Sequence, residues 1–157
     1  MKAFAIALLA SSLALPALAH AEDAKSILES GLAKWNQTYQ KGDAAALTAL
    51  YTSDAALLPD GSAQPIVGAT AIRQFFDGWL KQRLENTALN LNDARNIDPN
   101  TIWAYGTWSG DIPGQNGSSP THVGGTWMSV SVQDGVDWKL RADTWNMMPP
   151  PAATAAK

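Results

Sequence analysis

The chain reads as an α+β domain, with helices gathered in its first half and antiparallel strands in its second. Three observations predict this. Apolar residues recur at helical spacing in segments before residue 85. Alternating apolar and polar residues, separated by turn dipeptides, dominate after it. Between the first two helical segments, Gly42-Asp43 sets a helix stop against a helix start. Helices first and antiparallel strands afterwards imply helices packed on one face of a sheet.

The first segment is not part of that domain. Lys2 is followed by an apolar run from Ala3 to Leu15, then Pro16 and Ala19-His20-Ala21. A positive start, a short apolar core and an A-x-A site make a secretory signal peptide. The run is shorter than the roughly 20 residues a membrane span requires. The expected division is therefore a signal peptide at 1–21, one domain at 22–148 and a disordered Pro/Ala tail at 149–157. The expected destination is the periplasm, with no membrane anchor after cleavage.

Removing residues 1–21 leaves 10 Lys and Arg against 14 Asp and Glu, spread along the chain. A mildly acidic domain without a basic patch lacks the electrostatic footprint of a nucleic-acid binder. The sequence holds no cysteine, which removes thiol nucleophiles, thiolate metal sites and disulfides. His122 is the one histidine beyond the signal, so no multi-histidine metal site can form within one chain. No metal is expected.

Residues 24–40 carry Leu28, Leu32, Trp35 and Tyr39 at steps of four, three and four, one stripe of a helix. Gly42 is its expected left-handed cap and Asp43 the N-cap of a short second helix, with Leu47, Leu50 and Tyr51 facing inward. Asp54 to Leu58 reads as a short extended piece ending at the Pro59-Asp60-Gly61 turn. A third helix is expected from Ala69 to about Leu84, with Ile72, Phe75, Phe76, Trp79 and Leu80 apolar. Strands follow at 87–92, 101–111, 125–132 and 138–146, with turns at Asp98-Pro99-Asn100 and Asp134-Gly135. Residues 112–124 read as a long flexible loop.

This order of parts resembles the NTF2-like superfamily, and within it the SnoaL-like and ketosteroid-isomerase-like proteins. The matching features are the first helix ending at Gly42-Asp43, the Ala46-Leu47…Leu50-Tyr51 helix and Asp54-Ala55. Gly68, the Ala71-Ile72 start of helix three, Trp138-Lys139 and Asp143-Thr144-Trp145-Asn146 complete the set, which spans residues 24–147. The resemblance implies a cone: three N-terminal helices packed on a strongly bent, mostly antiparallel sheet, open at one end. It also implies frequent homodimers packed through sheet surfaces. It does not imply one activity.

The site residues of the isomerases do not carry over. Counted back from Asp43, their helix-one tyrosine falls at Trp35. Counted back from Gly68, their general-base aspartate falls at Pro59, beside Asp60. Their protonated strand aspartate falls around Trp127 or Met128, and neither can replace it. Steroid isomerase chemistry is therefore not expected.

The remaining candidates come from the residues themselves. Seven tryptophans are many for one domain. Core or interface packing accounts for most of them, and some could line a pocket for a flat or apolar ligand. Trp35, Tyr39 and Trp79 on the helices, and Trp103 and Tyr105 on one strand face, are the expected ligand-binding set, with Asn146 to orient a ligand by hydrogen bonds. Asp60, His122 and Asp143 are the candidate proton carriers. Strict alternation puts Lys139, Arg141, Asp143 and Trp145 on one face of the last strand and Trp138, Leu140, Ala142, Thr144 and Asn146 on the other. The charged face is expected outside, with Arg141 and Asp143 paired there, unless a bulge reverses the alternation. No G-x-G-x-x-G, P-loop, H-E-x-x-H or G-x-S-x-G motif occurs, so no cofactor is expected. The leading expectation is a pocket for a small apolar or aromatic organic molecule in a homodimer. The alternatives are a cofactor-free acid–base enzyme and a protein-interaction module.

Overall fold

A computed structural model of the chain describes residues 23–148. The expected signal peptide and tail lie outside these residues. Helix α1 spans Ala24–Lys41 and buries Leu28 and Tyr39. Gly42 closes it in the left-handed conformation, its N–H bonding the Tyr39 carbonyl, which is the geometry only glycine takes without cost. Asp43 caps α2, Ala44–Thr48, by accepting from the Ala46 N–H at 2.9 Å.

Strand β1 covers Tyr51–Pro59 and β2 Ile66–Val67. Tyr51 therefore opens a strand and does not close the second helix. Helix α3, Ala69–Trp79, ends earlier than its apolar pattern suggests, and a 3-10 turn, Leu80–Gln82, follows it. There Arg83 turns extended and the Leu84 N–H donates to the Tyr39 hydroxyl at 2.7 Å. The remaining strands are β3, Glu85–Asp98; β4, Thr101–Ile112; β5, Thr121–Asp134; and β6, Asp137–Trp145. The expected loop at 112–124 is thus shorter, because β5 starts at Thr121 and pairs with Ile112.

The sheet is mixed, in the order β2-β1-β6-β5-β4-β3, with β1 and β6 parallel and every other pair antiparallel. It is curved, and irregularities help to curve it: β3 shifts register against β4 between Leu91 and Asp93, and β6 against β5 at Arg141. One core cluster joins all three helices to β1 through Tyr39, Leu47, Leu57, Ile72 and Phe76. A second joins the start of α1 to β4 and β5 through Leu28, Ile102, Ala104 and Trp127. Trp127 fits because Gly106 lies opposite it: a Cβ there would run into the Asn90 carbonyl oxygen and the indole ring.

Candidate functional site

Between helices and sheet lies a cavity of about 1040 Å³, ample for a drug-sized organic molecule. Six of the seven tryptophans line it. Trp35 stacks on Tyr39 with ring centroids 5.3 Å apart, and Trp79 lies 6.3 Å from Trp35 and 5.5 Å from Trp145. Phe75 closes this wall, 5.8 Å from Trp79.

Asp143 stands in this aromatic surrounding, and the reason is local to β6. Ala142 pairs with Val130 and Leu140 with Ser131, so Arg141 has no partner on β5 and is the extra residue of a bulge. Trp138 and Leu140 face the cavity before the bulge, and Asp143 and Trp145 face it after. The expectation that Asp143 lies on an outer charged face is corrected here: the bulge reverses the alternation. Arg141 does point outward, but its partner is Asp54, at 2.7 Å.

The Asp143 carboxyl is held by a short relay. The Trp35 indole N–H donates to the Tyr51 hydroxyl at 2.9 Å, and the Tyr51 hydroxyl donates to Asp143 Oδ2 at 2.8 Å. Tyr51 has one hydrogen to give, and because it accepts from the indole, that hydrogen goes to the carboxyl. Burial pushes the Asp143 pKa up to about 6, against the lowering effect of the bonds from Tyr51 and the Thr144 N–H. Burial, with the Asp143 charge beside it, holds the Tyr51 hydroxyl well above its ordinary value. Burial thus keeps Tyr51 a donor and brings the Asp143 carboxyl to a pKa of about 6. Ser129 and Ser131 of β5 line the same cavity, opposite Asp143 and Leu140 respectively.

The other expected residues separate. Trp35, Tyr39 and Trp79 line the cavity. Asp60 also lines it, but is exposed and accepts from the Met147 N–H at 3.2 Å, so it fastens the chain end beside the turn. His122 is exposed and does not line the cavity; its Nδ1 meets Asp111 Oδ1 at 2.7 Å, and a hydrogen bond from Asn86, joined by this one, holds Asp111 below the usual carboxylate range. Trp103, Tyr105 and Asn146 are corrected to the opposite side of the sheet. Inward positions of β4 are Ile102, Ala104 and Gly106, which turns Trp103 and Tyr105 outward, 5.1 Å apart. They border a shallow groove with Met128, Thr144 and Asn146, whose side-chain oxygen accepts from Thr126 N–H and Oγ1. Among the described residues, no group of three or more His, Cys, Asp or Glu converges on one point.

Sequence reasoning missed Tyr51, because the apolar pattern assigned it to the inner face of α2. Its position just after that helix, where the chain must turn extended to begin β1, is the signal that it starts a strand.

The model of the SnoaL-like domain family matches residues 32–138. No curated protein matches the chain. Among solved structures, a ketosteroid isomerase-like protein from Erwinia carotovora atroseptica SCRI1043 superposes with a TM-score of 0.72 at 12% identity, covering 82% of this chain and 99% of its own. A putative calcium/calmodulin dependent protein kinase II association domain from Xanthomonas campestris gives 0.68 at 19%, covering 92% and 99%. A putative scytalone dehydratase from Novosphingobium aromaticivorans DSM 12444 gives 0.67 at 11%, covering 85% and 91%. At these identities the likeness is one of fold.

Proposed function

The chain belongs to the SnoaL-like domain family, and on that premise we propose that its cone holds a small, largely apolar or aromatic organic molecule with which Asp143 exchanges a proton. One contact carries the reading: the 2.8 Å bond from Tyr51 to Asp143 inside an aromatic cavity. A carboxyl near pKa 6 is a working acid below that pH and a working base above it. Perturbed carboxyls of this kind concentrate where chemistry is done. Structures described as ketosteroid isomerase-like and as a putative scytalone dehydratase share the fold. The reaction class is accordingly a cofactor-free isomerisation or dehydration. Trp35, Trp79 and Trp145 hold the flat body, Asp143 moves the proton, and Tyr51 fixes the carboxyl's orientation.

The test is calorimetric titration of the mature protein with a panel of small aromatic and polyketide-like compounds, at several pH values, for the wild type and Asp143→Asn. Saturable binding whose affinity changes around pH 6, with the change absent in the variant, supports the reading. Affinity independent of pH in both proteins removes Asp143 from the role.

We propose further that two copies pair through the outer face of the sheet. Tyr105 and Met128 are 38% and 43% exposed there, and the groove they border carries no charged side chain. A self-complementary contact then brings no like charges together. The export of this domain to the periplasm remains part of the same proposal, on the strength of residues 1–21.

A further inference from the structure

We propose that the molecule held in the cone is an amphiphilic acid: an apolar or aromatic body carrying a carboxylate or similar anionic head. This rests on the reading of the cone as a ligand pocket. The observation behind it is how the cations sort. Residues 23–148 hold nine Lys and Arg. Five of them, Lys25, Arg73, Arg95, Lys139 and Arg141, are ion-paired, and none of these lines the cavity. Of the four without an ion pair among the described residues, Lys34, Lys81 and Arg83 line the cavity.

An unpaired lysine in water needs no explanation, and one alone would carry nothing. Three of four on one cavity, in a domain of acidic balance, form a cationic rim. The carboxylates lining the same cavity are Asp60, already bonded to the Met147 N–H, and Asp143. Lys81 and Arg83 are two residues apart on the exposed segment that follows α3.

The rim connects to the acid–base relay along one wall. Arg83 lies beside the C-terminus of α1, where its guanidinium is the nearest group to a Cβ placed on Gly42. Tyr39, three residues before Gly42, stacks on Trp35, and Trp35 leads through Tyr51 to Asp143. Charge therefore changes sign along this wall, from cations at the exposed rim to a carboxyl among the aromatic side chains. An acid entering this cavity is oriented twice over. The rim attracts its head, and the ionised form of Asp143 repels it, so the apolar body goes in first and meets Asp143. Arg83 adds a planar pair of donors suited to a carboxylate.

Three shape-matched probes test this by calorimetry on the mature protein near pH 7.5 and low salt: 1-naphthoate, 1-naphthalenemethanol and 1-naphthylmethylamine. The expected result is naphthoate binding about tenfold or more tighter than the alcohol. In the Lys81→Gln/Arg83→Gln double variant that preference should fall by about tenfold while the alcohol's affinity is unchanged, which also certifies the fold. Equal binding of all three, or tighter binding of the amine, overturns the acid inference and leaves the pocket standing. A preference for naphthoate that survives in the double variant overturns the assignment of Lys81 and Arg83 to the head. Absence of binding by all three overturns the pocket reading and this inference with it.

Discussion

Tyr51 and Asp143 stand 92 residues apart in sequence and 2.8 Å apart in space, hydroxyl to carboxyl. Tyr51 begins the first strand and Asp143 lies near the end of the last, and the parallel pairing of β1 with β6 brings them together. Because the Trp35 indole already donates to Tyr51, the direction of the bond is fixed. Asp143 receives a hydrogen bond whatever its own protonation state, and it is the member of the relay that titrates.

Stability should carry that signature. The folded pKa of about 6 lies above the ordinary 3.8, so the folded state keeps a proton that the unfolded chain releases. The resulting stabilisation is complete below about pH 4 and is lost as pH rises through about 6. A shift of this size corresponds to at most about 3 kcal/mol, and the partial exposure of Asp143 reduces the expected effect to about 1–2 kcal/mol. Asp143→Asn keeps an acceptor for Tyr51 and cannot ionise. Urea unfolding should find it more stable than the wild type by that amount at pH 8 and equal to it at pH 4.

Tyr51→Phe removes the middle of the relay. The Trp35 N–H loses its acceptor, at a cost of about 1–3 kcal/mol. Asp143 loses a bond that favours its charged form, so its titration should move above pH 6. Denaturant melts and a pH titration of tryptophan fluorescence read the two effects separately. An unchanged titration midpoint would mean that the hydroxyl does not act on the carboxyl.

Much of this fold can be read from local chemistry, and the site from far less of it. Gly42 and Asp43 mark their helix boundary because a left-handed glycine and a capping carboxylate act within a few residues. The stripe of Trp35 and Tyr39 likewise reveals which face of α1 turns inward. Asp143 is different. Its side of the sheet depends on one extra residue, Arg141, and that bulge is defined by the register of pairing with β5. Nothing within β6 itself announces it. Trp103 and Tyr105 share a face, as their spacing says, yet the same spacing cannot tell which face meets the helices. That choice follows from Gly106, which leaves room for Trp127 on the inner side.

Gly106→Ala tests that packing. The added methyl would meet both the Asn90 carbonyl oxygen and the Trp127 ring, and overpacking in a sheet core costs about 1–3 kcal/mol. A fall in stability within or above that range is expected by thermal or urea unfolding. A neutral effect would place Trp127 elsewhere.

Pairing through the outer face has its own variant. Met128→Glu puts a charge on the side away from the cavity, and two copies would then bring like charges together. Sedimentation should show a dimer for the wild type and a monomer for the variant, with ligand affinity in the cone unchanged. A wild type that sediments as a monomer at every concentration would remove the pairing.

The most direct measurement is the titration of Asp143 itself, by carbon-13 NMR of carboxyl-labelled aspartates in the protein from residue 22 onward between pH 3 and 8, with Asp143→Asn to assign the resonance. The account requires one aspartate titrating near pH 6 that disappears in the variant. An Asp143 resonance that titrates at or below about pH 4, as an ordinary exposed aspartate does, would contradict it.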